Sequence, residues 1–223
     1  MKKCLKSGGY IYCLILVLYT SFISVAQDYK VNEAMLIIYK SNSSTGKLKL
    51  YYNDSLGNVI GSWYELKEFV ESNNQELIFA VNGRMNNKDQ SLQGLFVEKG
   101  IVRKEVDVHK EGFGNFYLKP NGVFCLTKDG EGIVRSMNDF KLDSTIEYAT
   151  QSGPMLLING DYHNKLIKGS LNLHIGNGVG ILPNGNVLFA MSKERVNFYD
   201  LAILFRQKWC KNALYLGGFA SRT

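Results

Sequence analysis

Short apolar runs alternate with small polar residues along most of the chain, and this pattern predicts many strands. Runs of this length that are rich in β-branched and aromatic side chains and bounded by Gly, Asn, Asp or Pro are typical of β-structure. The segments that fit are 34–39, 47–52, 77–81, 94–98, 115–118, 123–126, 154–158, 178–182, 187–191 and 213–216.

Two further segments have the periodicity of amphipathic helices. Ser62, followed three residues later by Glu65, forms a capping-box pattern, and Asn197 with Asp200 in the next turn begins the second segment. The apolar residues of each stripe recur three or four positions apart and are expected to face the core. They are Leu66, Phe69 and Val70 in the first helix, and Phe198, Leu201, Leu204 and Phe205 in the second.

The turn sequence Pro-Asn-Gly occurs twice, at 120–122 and at 183–185. Proline sets the dihedral of the first turn residue, and glycine accepts the left-handed position that follows a type I turn. The pattern therefore predicts two hairpins, one joining 115–118 to 123–126 and the other joining 178–182 to 187–191.

These elements predict an α/β (α+β) fold, namely a β-rich, mixed but mostly antiparallel sheet with few helices. About 197 residues follow position 26, which suits one domain with a sizeable core. We therefore expect a single domain over residues 27–223.

The first 26 residues have the pattern of a secretory signal peptide. Three lysines precede an apolar run that ends at the small residues Ser24-Val25-Ala26, and cleavage is expected after Ala26. The alternative is an uncleaved membrane anchor, but the apolar run is short for a span and is interrupted by Tyr19, Thr20 and Ser21. We therefore expect a secreted or periplasmic protein without a stable membrane span.

Charge gives little support for a nucleic-acid partner. The whole chain has 26 basic and 20 acidic residues, and loss of the three leader lysines leaves 23 basic residues, an excess of +3. No basic stripe with interleaved aromatic residues accompanies this mild excess, so nucleic-acid binding is not predicted.

Two cysteines remain beyond the leader, Cys125 and Cys210, each in an apolar run. They are either two buried free thiols, which the apolar surroundings favour, or one disulfide formed in an oxidising compartment. Neither has the polar surroundings that lower a thiol pKa, so a catalytic cysteine is not expected.

Polar residues lie next to several predicted strands and are candidate ligand-binding groups. Asn82 closes the run 77–81, where spacing alone favours a simple turn; the alternative is a ligand contact, since its carboxamide offers both a donor and an acceptor. The polar cluster Thr150, Gln151, Ser152 and Gly153 precedes the run 154–158 and forms either a cradle for phosphate or sugar hydroxyls or a simple turn.

A second group of candidates lies towards the C-terminus. Asn177 and Gly178 open a strand in which glycines alternate, so one face is free of side chains and is expected to meet a ligand, another backbone or a bulge. Candidates that follow at or beyond later strand ends are Ser192, Gly217, Gly218 and Ser221. His163 is a candidate loop histidine, but no carboxylate at metal-ligand spacing accompanies it, so no zinc site is proposed.

In this order the motifs resemble the phosphodiester glycosidase family, in its shorter, secreted bacterial branch. The resemblance covers the chain from about Leu77 onward and is specific because several motifs occur in sequence. They are Asn-Gly at 82–83, Gly-Asn-Phe-Tyr-Leu-Lys-Pro-Asn-Gly at 114–122, Ala-Thr-Gln-Ser-Gly-Pro-Met-Leu at 149–156, Asn-Gly-Val-Gly at 177–180, Val-Asn-Phe-Tyr-Asp at 196–200 and Ala-Leu-Tyr-Leu at 213–216.

The resemblance implies hydrolysis of the bond between a sugar anomeric carbon and a phosphodiester oxygen, with a carbohydrate or sugar phosphate as substrate. It implies no organic cofactor and leaves a divalent metal open. The positions that it marks as catalytic are Asn82, Ser152, His163 and Gly217. The positions that it marks as substrate-binding are Arg84, Thr150, Gln151, Gly153, Asn177, Gly178, Ser192, Gly218 and Ser221.

Three positions depart from the family pattern. The family usually has a small residue where Arg84 stands, an arginine where Gly176 stands and an aspartate where Gly217 stands. An active enzyme and a glycan- or phosphate-binding protein without turnover are therefore both open interpretations.

Overall fold

Backbone pairing divides the strands of this chain between two sheets. The computed structural model describes residues 33, 36–41, 47–83, 85, 87 and 91–218, so the predicted leader, Arg84 and Ser221 lie outside the described residues. In chain order the strands are β1 (Leu36–Ser41), β2 (Phe96–Glu98), β3 (Ile101–Lys104), β4 (Gly122–Thr127), β5 (Gly132–Ser136), β6 (Ile146–Ser152), β7 (Met155–Ile158), β8 (Asp161–Tyr162), β9 (Asn177–Ile181), β10 (Val187–Ser192) and β11 (Ala213–Gly217).

Each sheet is antiparallel throughout its paired strands. The six-stranded sheet has the order β1-β10-β9-β11-β7-β8, and the five-stranded sheet has the order β3-β2-β6-β4-β5. Two residues, Gly153 and Pro154, separate β6 from β7, and the chain crosses from one sheet to the other there. This crossing brings the ends of β6 and β11 together.

The two helices predicted from the sequence form with the expected caps. In α1 (Trp63–Ser72), the Ser62 hydroxyl accepts from the Glu65 amide and the Glu65 carboxylate accepts from the Ser62 amide, which completes the capping box. In α2 (Phe198–Gln207), the Asn197 side chain accepts from the Asp200 amide at 2.9 Å. Both N-termini are therefore fixed by local side-chain chemistry.

Three apolar clusters hold the layers together. The sheets face each other through a cluster that includes Phe124, Val179, Phe189 and Leu216. Helix α2 packs on the outer face of the six-stranded sheet, where Phe205 is fully buried against that sheet's strands. A third cluster covers the outer face of the five-stranded sheet. The protein is thus a β-rich, mixed α/β single domain, and the predicted fold class is confirmed.

Most predicted strands lie within two residues of an observed one, and the hairpin at 183–185 forms between β9 and β10, with Gly185 at φ +84°. The prediction of a hairpin at 120–122 was wrong, because Asn115–Tyr117 is a 3-10 helix and β4 pairs with β5 and β6. The runs 47–52 and 77–81 pack partly against the intersheet cluster without joining a named strand.

Four strands were not predicted from the sequence, namely β3, β5, β6 and β8. Residues of β3 are exposed and lack a buried face, so period-two alternation of apolar side chains is absent. Strand β6 includes the polar residues Thr150, Gln151 and Ser152, all buried. Polar side chains interrupt the apolar signal there although the backbone of these three residues pairs with β4.

Cys125 and Cys210 are both buried free thiols, which confirms the interpretation that the sequence favoured over a disulfide. Burial raises the pKa of each thiol to about 12. Each side chain is therefore a neutral core group at physiological pH. Within the described part of the chain, no helix is long and apolar enough to cross a membrane.

Candidate functional site

Three predicted site residues meet where β6, β9 and β11 end or begin. Asn177, the first residue of β9, lies directly opposite Gly217, the last residue of β11. The Ser152 hydroxyl, at the end of β6, donates a hydrogen bond to the carbonyl of Leu216 at 3.0 Å. The polar ends of three strands from both sheets therefore form one corner, which we call the strand-end site.

Asn82 and Thr150 lie beside this corner. The Thr150 hydroxyl donates to the carbonyl of Gly83 at 3.0 Å, which holds the half-buried residues 82–83 against β6. Asn82, Gly83 and Leu216 also line the same cavity, of about 900 Å³. Asn82 therefore borders the same cavity as Leu216, whose carbonyl accepts the Ser152 hydrogen bond.

The Ser192 side chain is hydrogen-bonded to the backbone of Gly176. Its buried hydroxyl accepts from the Gly176 amide at 2.9 Å and donates to the Gly176 carbonyl at 3.3 Å. A β-carbon at Gly176 would lie 2.6 Å from Cε2 of Tyr215, whose ring is 4% exposed and packs against Phe198. The space that a larger residue at 176 needs is therefore occupied by a buried aromatic ring.

Two other glycines of the site are required by close backbone packing. A β-carbon at Gly218 would overlap the carbonyl of Ile175, and one at Gly153 would lie 2.7 Å from Cβ of Asn121. Real β-carbons do not approach other atoms so closely, so glycine fits these positions for packing reasons. Gly153 and Gly218 shape the corner without contributing side chains.

Gly178 faces another backbone, one of the alternatives that the sequence left open, and a side chain of α2. A β-carbon there would lie 2.9 Å from the Leu214 carbonyl and 3.1 Å from Cε2 of Phe205, so the side-chain-free face of β9 receives α2 and not a ligand. The same is true of Gly180, where the nearest atom is Cδ1 of Phe205 at 2.8 Å. The alternating glycines therefore allow a helix to approach a strand.

We expect Gly178→Ala to lower the free energy of unfolding by about 1–3 kcal/mol, because the added methyl group overfills a packed contact. Urea unfolding measures the change. Gly61→Ala is the matched control, since its β-carbon would meet only Oε2 of Glu65, at 3.6 Å. Stability equal to that control, with ligand binding lost, would instead place a ligand on this face.

The Gln151 side chain is fully buried and bonds to backbone on a distant segment. Its Oε1 accepts from the amides of Leu95 and Asp107, both at 2.9 Å, and its Nε2 donates to the Asp107 carbonyl at 2.9 Å. The Gln151 amide, predicted to bind substrate, therefore holds residues 95–107 against β6.

Sequence reasoning missed the polar cluster that Gln151 positions. The Asp107 carboxylate accepts from the Tyr117 hydroxyl at 2.7 Å and from the His109 amide at 2.8 Å. Burial raises the pKa of Asp107, but these hydrogen bonds outweigh it and hold the pKa below its usual value. Lys119 lies 5.4 Å from the Phe116 ring centroid, and burial lowers the pKa of its ammonium group. Tyr117 and Lys119 fall within the motif at 114–122, which is the signal that marks them.

His163 lies in another environment. It is 1% exposed, its Nδ1 accepts from the Lys165 amide at 3.1 Å, and the carbonyls of Lys119 and Pro120 lie near the ring. Burial is the main cause that lowers the pKa of His163, so the ring is neutral at physiological pH. The contacts of this ring are those of a core histidine beneath the 119–120 turn.

Among the described residues, no three His, Cys, Asp or Glu side chains are grouped so that they could hold a metal ion. The Asp200 carboxylate, in the first turn of α2, accepts a hydrogen bond from Nδ2 of Asn197 at 2.9 Å. Within the described residues, Asn82, Ser152 and Asn177 bring carboxamide and hydroxyl groups to the strand-end site.

Two solved structures show partial likeness. One is the zebrafish N-acetylglucosamine-1-phosphodiester alpha-N-acetylglucosaminidase catalytic domain, auto-inhibited by its pro-peptide, at 17% identity and a TM-score of 0.43 over 61% of this chain and 49% of that chain. The other is a hypothetical protein from Synechocystis, at 9% identity and a TM-score of 0.43 over 82% of this chain and 51% of that chain. The chain spans about half the length of each.

Sequence comparison extends over more of the molecule. The chain is 33% identical over 211 residues to the uncharacterized protein YigE of Escherichia coli strain K12, which covers 93% of this chain and 82% of that protein. The profile of the phosphodiester glycosidase family matches residues 75–223, more than half of the chain and all of the strand-end site. The chain therefore belongs to the phosphodiester glycosidase family.

Proposed function

We propose that this protein binds a sugar-1-phosphodiester at the strand-end site and hydrolyses it slowly. The observation that carries the proposal is the meeting of Ser152, Asn177 and Gly217 beside Asn82 in a chain of this family. In the proposed reaction water adds to the anomeric carbon, the bond from that carbon to the phosphodiester oxygen breaks, and a phosphomonoester leaves.

The available groups support binding more strongly than chemistry. The carboxamides of Asn82 and Asn177 supply donors and acceptors for sugar hydroxyls or phosphate oxygens. Ser152 and Thr150 are buried and donate to the carbonyls of Leu216 and Gly83, so they hold the backbone on which the proposed site is built. Gly217 places no carboxylate at the corner, so the proposed site lacks an acid or base at the position where the family usually has aspartate.

A glycan- or phosphate-binding protein without turnover is the second candidate. The glycine at 217 is the observation that favours it, because general acid–base assistance is worth about 10²–10⁴-fold in rate. The two candidates differ in one measurement, since only the enzyme releases free sugar.

We expect Asn82→Ala to weaken binding of methyl N-acetylglucosamine-1-phosphate about tenfold, since a hydrogen bond to a charged group is worth about 1.5–3 kcal/mol. Calorimetry measures the affinity, and a coupled assay measures sugar release. Asn184→Ala is the matched control, because Asn184 lies in the exposed turn between β9 and β10. Equal losses in both variants would remove Asn82 from the proposed site.

We further propose that residues 1–26 act as a secretory leader and that the protein works in the periplasm or outside the cell. The basic, apolar and small-residue regions of the sequence support this proposal. The mass of the protein recovered from a bacterial host tests it, since cleavage after Ala26 leaves a chain that begins at Gln27. A full-length chain retained in the cytosol would contradict it.

A further inference from the structure

The cavity beside Asn82 has more room than a sugar and a phosphate fill. Its volume of about 900 Å³ lies near the upper end of the range for small-molecule sites. It runs between α1, residues 47–51 and residues 75–83, over the edge of the intersheet cluster.

Aromatic and aliphatic side chains form most of the cavity lining. Phe79 stacks on Tyr39 with ring centroids 4.3 Å apart and contacts Phe189 at 5.9 Å, which makes one continuous aromatic surface. Leu66 and Val70 of α1 line the cavity as well. An apolar ligand that covers this surface removes apolar area from water, which favours binding.

Polar side chains also line this cavity. Asn82 is one of them, and the carbonyls of two further lining residues, Gly83 and Leu216, are the acceptors for Thr150 and Ser152. Lys49, another lining residue, donates to the side chain of Gln75 at 3.0 Å. An amphipathic ligand suits this lining, with its polar head at Asn82 and its apolar body against the aromatic surface.

We propose that the cavity is a subsite for an aliphatic aglycone, so that the substrate or ligand is a sugar-1-phosphodiester of a long-chain alcohol. The inference rests on the proposed function, because it takes the strand-end site as the place where the sugar phosphate binds. Asn82 lines the same cavity as the aromatic surface, which supplies the link between the two.

The expected consequence is a strong dependence on chain length. Each buried methylene is worth about fourfold in affinity, before the cost of ordering a flexible chain. We expect the octyl ester of N-acetylglucosamine-1-phosphate to bind at least about 100-fold more tightly than the methyl ester. Calorimetry on the full-length or leader-free protein measures both affinities.

Two variants that fill the cavity test its position. Leu66→Trp and Ala80→Phe each add bulk at a residue that lines it, and we expect each to remove most of the octyl advantage while the methyl ester binds as before. Leu56→Trp is the matched control, because Leu56 is 86% exposed in a turn outside the cavity. Thermal melting confirms that each variant is folded.

The outcomes separate this inference from the proposed function. Equal affinity for the methyl and octyl esters overturns the inference and leaves the proposed function intact, as does an octyl advantage that survives in both folded cavity variants. Binding of octyl phosphate that is lost in Leu66→Trp, with neither sugar ester bound, supports an apolar site and overturns the proposed function.

Discussion

Replacing Gly217 by aspartate is expected to raise the rate of sugar release from a sugar-1-phosphodiester by about 10²–10⁴-fold, the usual worth of a positioned acid or base. Residue 217 ends β11 opposite Asn177, and the preceding carbonyl, that of Leu216, holds the Ser152 hydroxyl. A carboxylate introduced at this corner joins the polar groups already present and supplies the proton transfer that they lack.

Gly217→Asn is the matched control for this experiment. Asparagine has nearly the same size as aspartate and offers hydrogen bonds, but it does not titrate and cannot transfer the proton. Initial rates are compared for the three proteins at one substrate concentration, with sugar release followed enzymatically. An aspartate variant no faster than the asparagine variant would contradict the missing-carboxylate explanation.

Gly176, where the family usually has arginine, differs from Gly217 because a neighbouring ring occupies the space for a side chain. The ring of Tyr215 lies where a side chain at 176 would begin, and burial raises the pKa of Tyr215 to about 12, so this neutral ring fills the space. The surrounding packing has adapted to glycine at 176. Position 217 is therefore the more informative place to restore a charge.

Local signals predicted local structure well. The caps at Ser62 and Asn197 form because each side chain bonds to a backbone amide three residues away. The turn at 183–185 forms because its neighbours along the chain are also its partners in the sheet. The turn at 120–122 has the same sequence but joins a 3-10 helix to β4, whose partners are chosen by distant contacts.

The meeting of polar strand ends was predictable from the sequence, but the contacts of each residue were not. Polar residues at strand ends do converge, since Ser152, Asn177 and Gly217 meet at one corner. Gly178 had the pattern of a ligand-facing glycine, yet its partner is Phe205 of α2, which no local pattern identifies. The neighbours of Gly178 are set by long-range packing, which the local sequence motif does not show.

Gln151→Leu is expected to lower the free energy of unfolding by about 3–5 kcal/mol. The side chain makes three hydrogen bonds to backbone groups of Leu95 and Asp107 that lie 44 or more residues away in sequence. Leucine fills similar space but leaves these groups without their partner, and each buried unsatisfied group costs about 1–3 kcal/mol. Urea unfolding followed by circular dichroism measures the loss.

Gln75→Leu makes the same substitution at an exposed position, where the side-chain amide accepts a hydrogen bond from Lys49, and we expect a change within about 0.5 kcal/mol. The contrast separates a buried structural amide from a surface one. If Gln151→Leu instead kept its stability and lost only sugar-phosphate affinity, the side chain would be a ligand contact, as the sequence suggested. The predicted loss of stability would assign Gln151 to the scaffold that places Asp107 and Tyr117 beside β6.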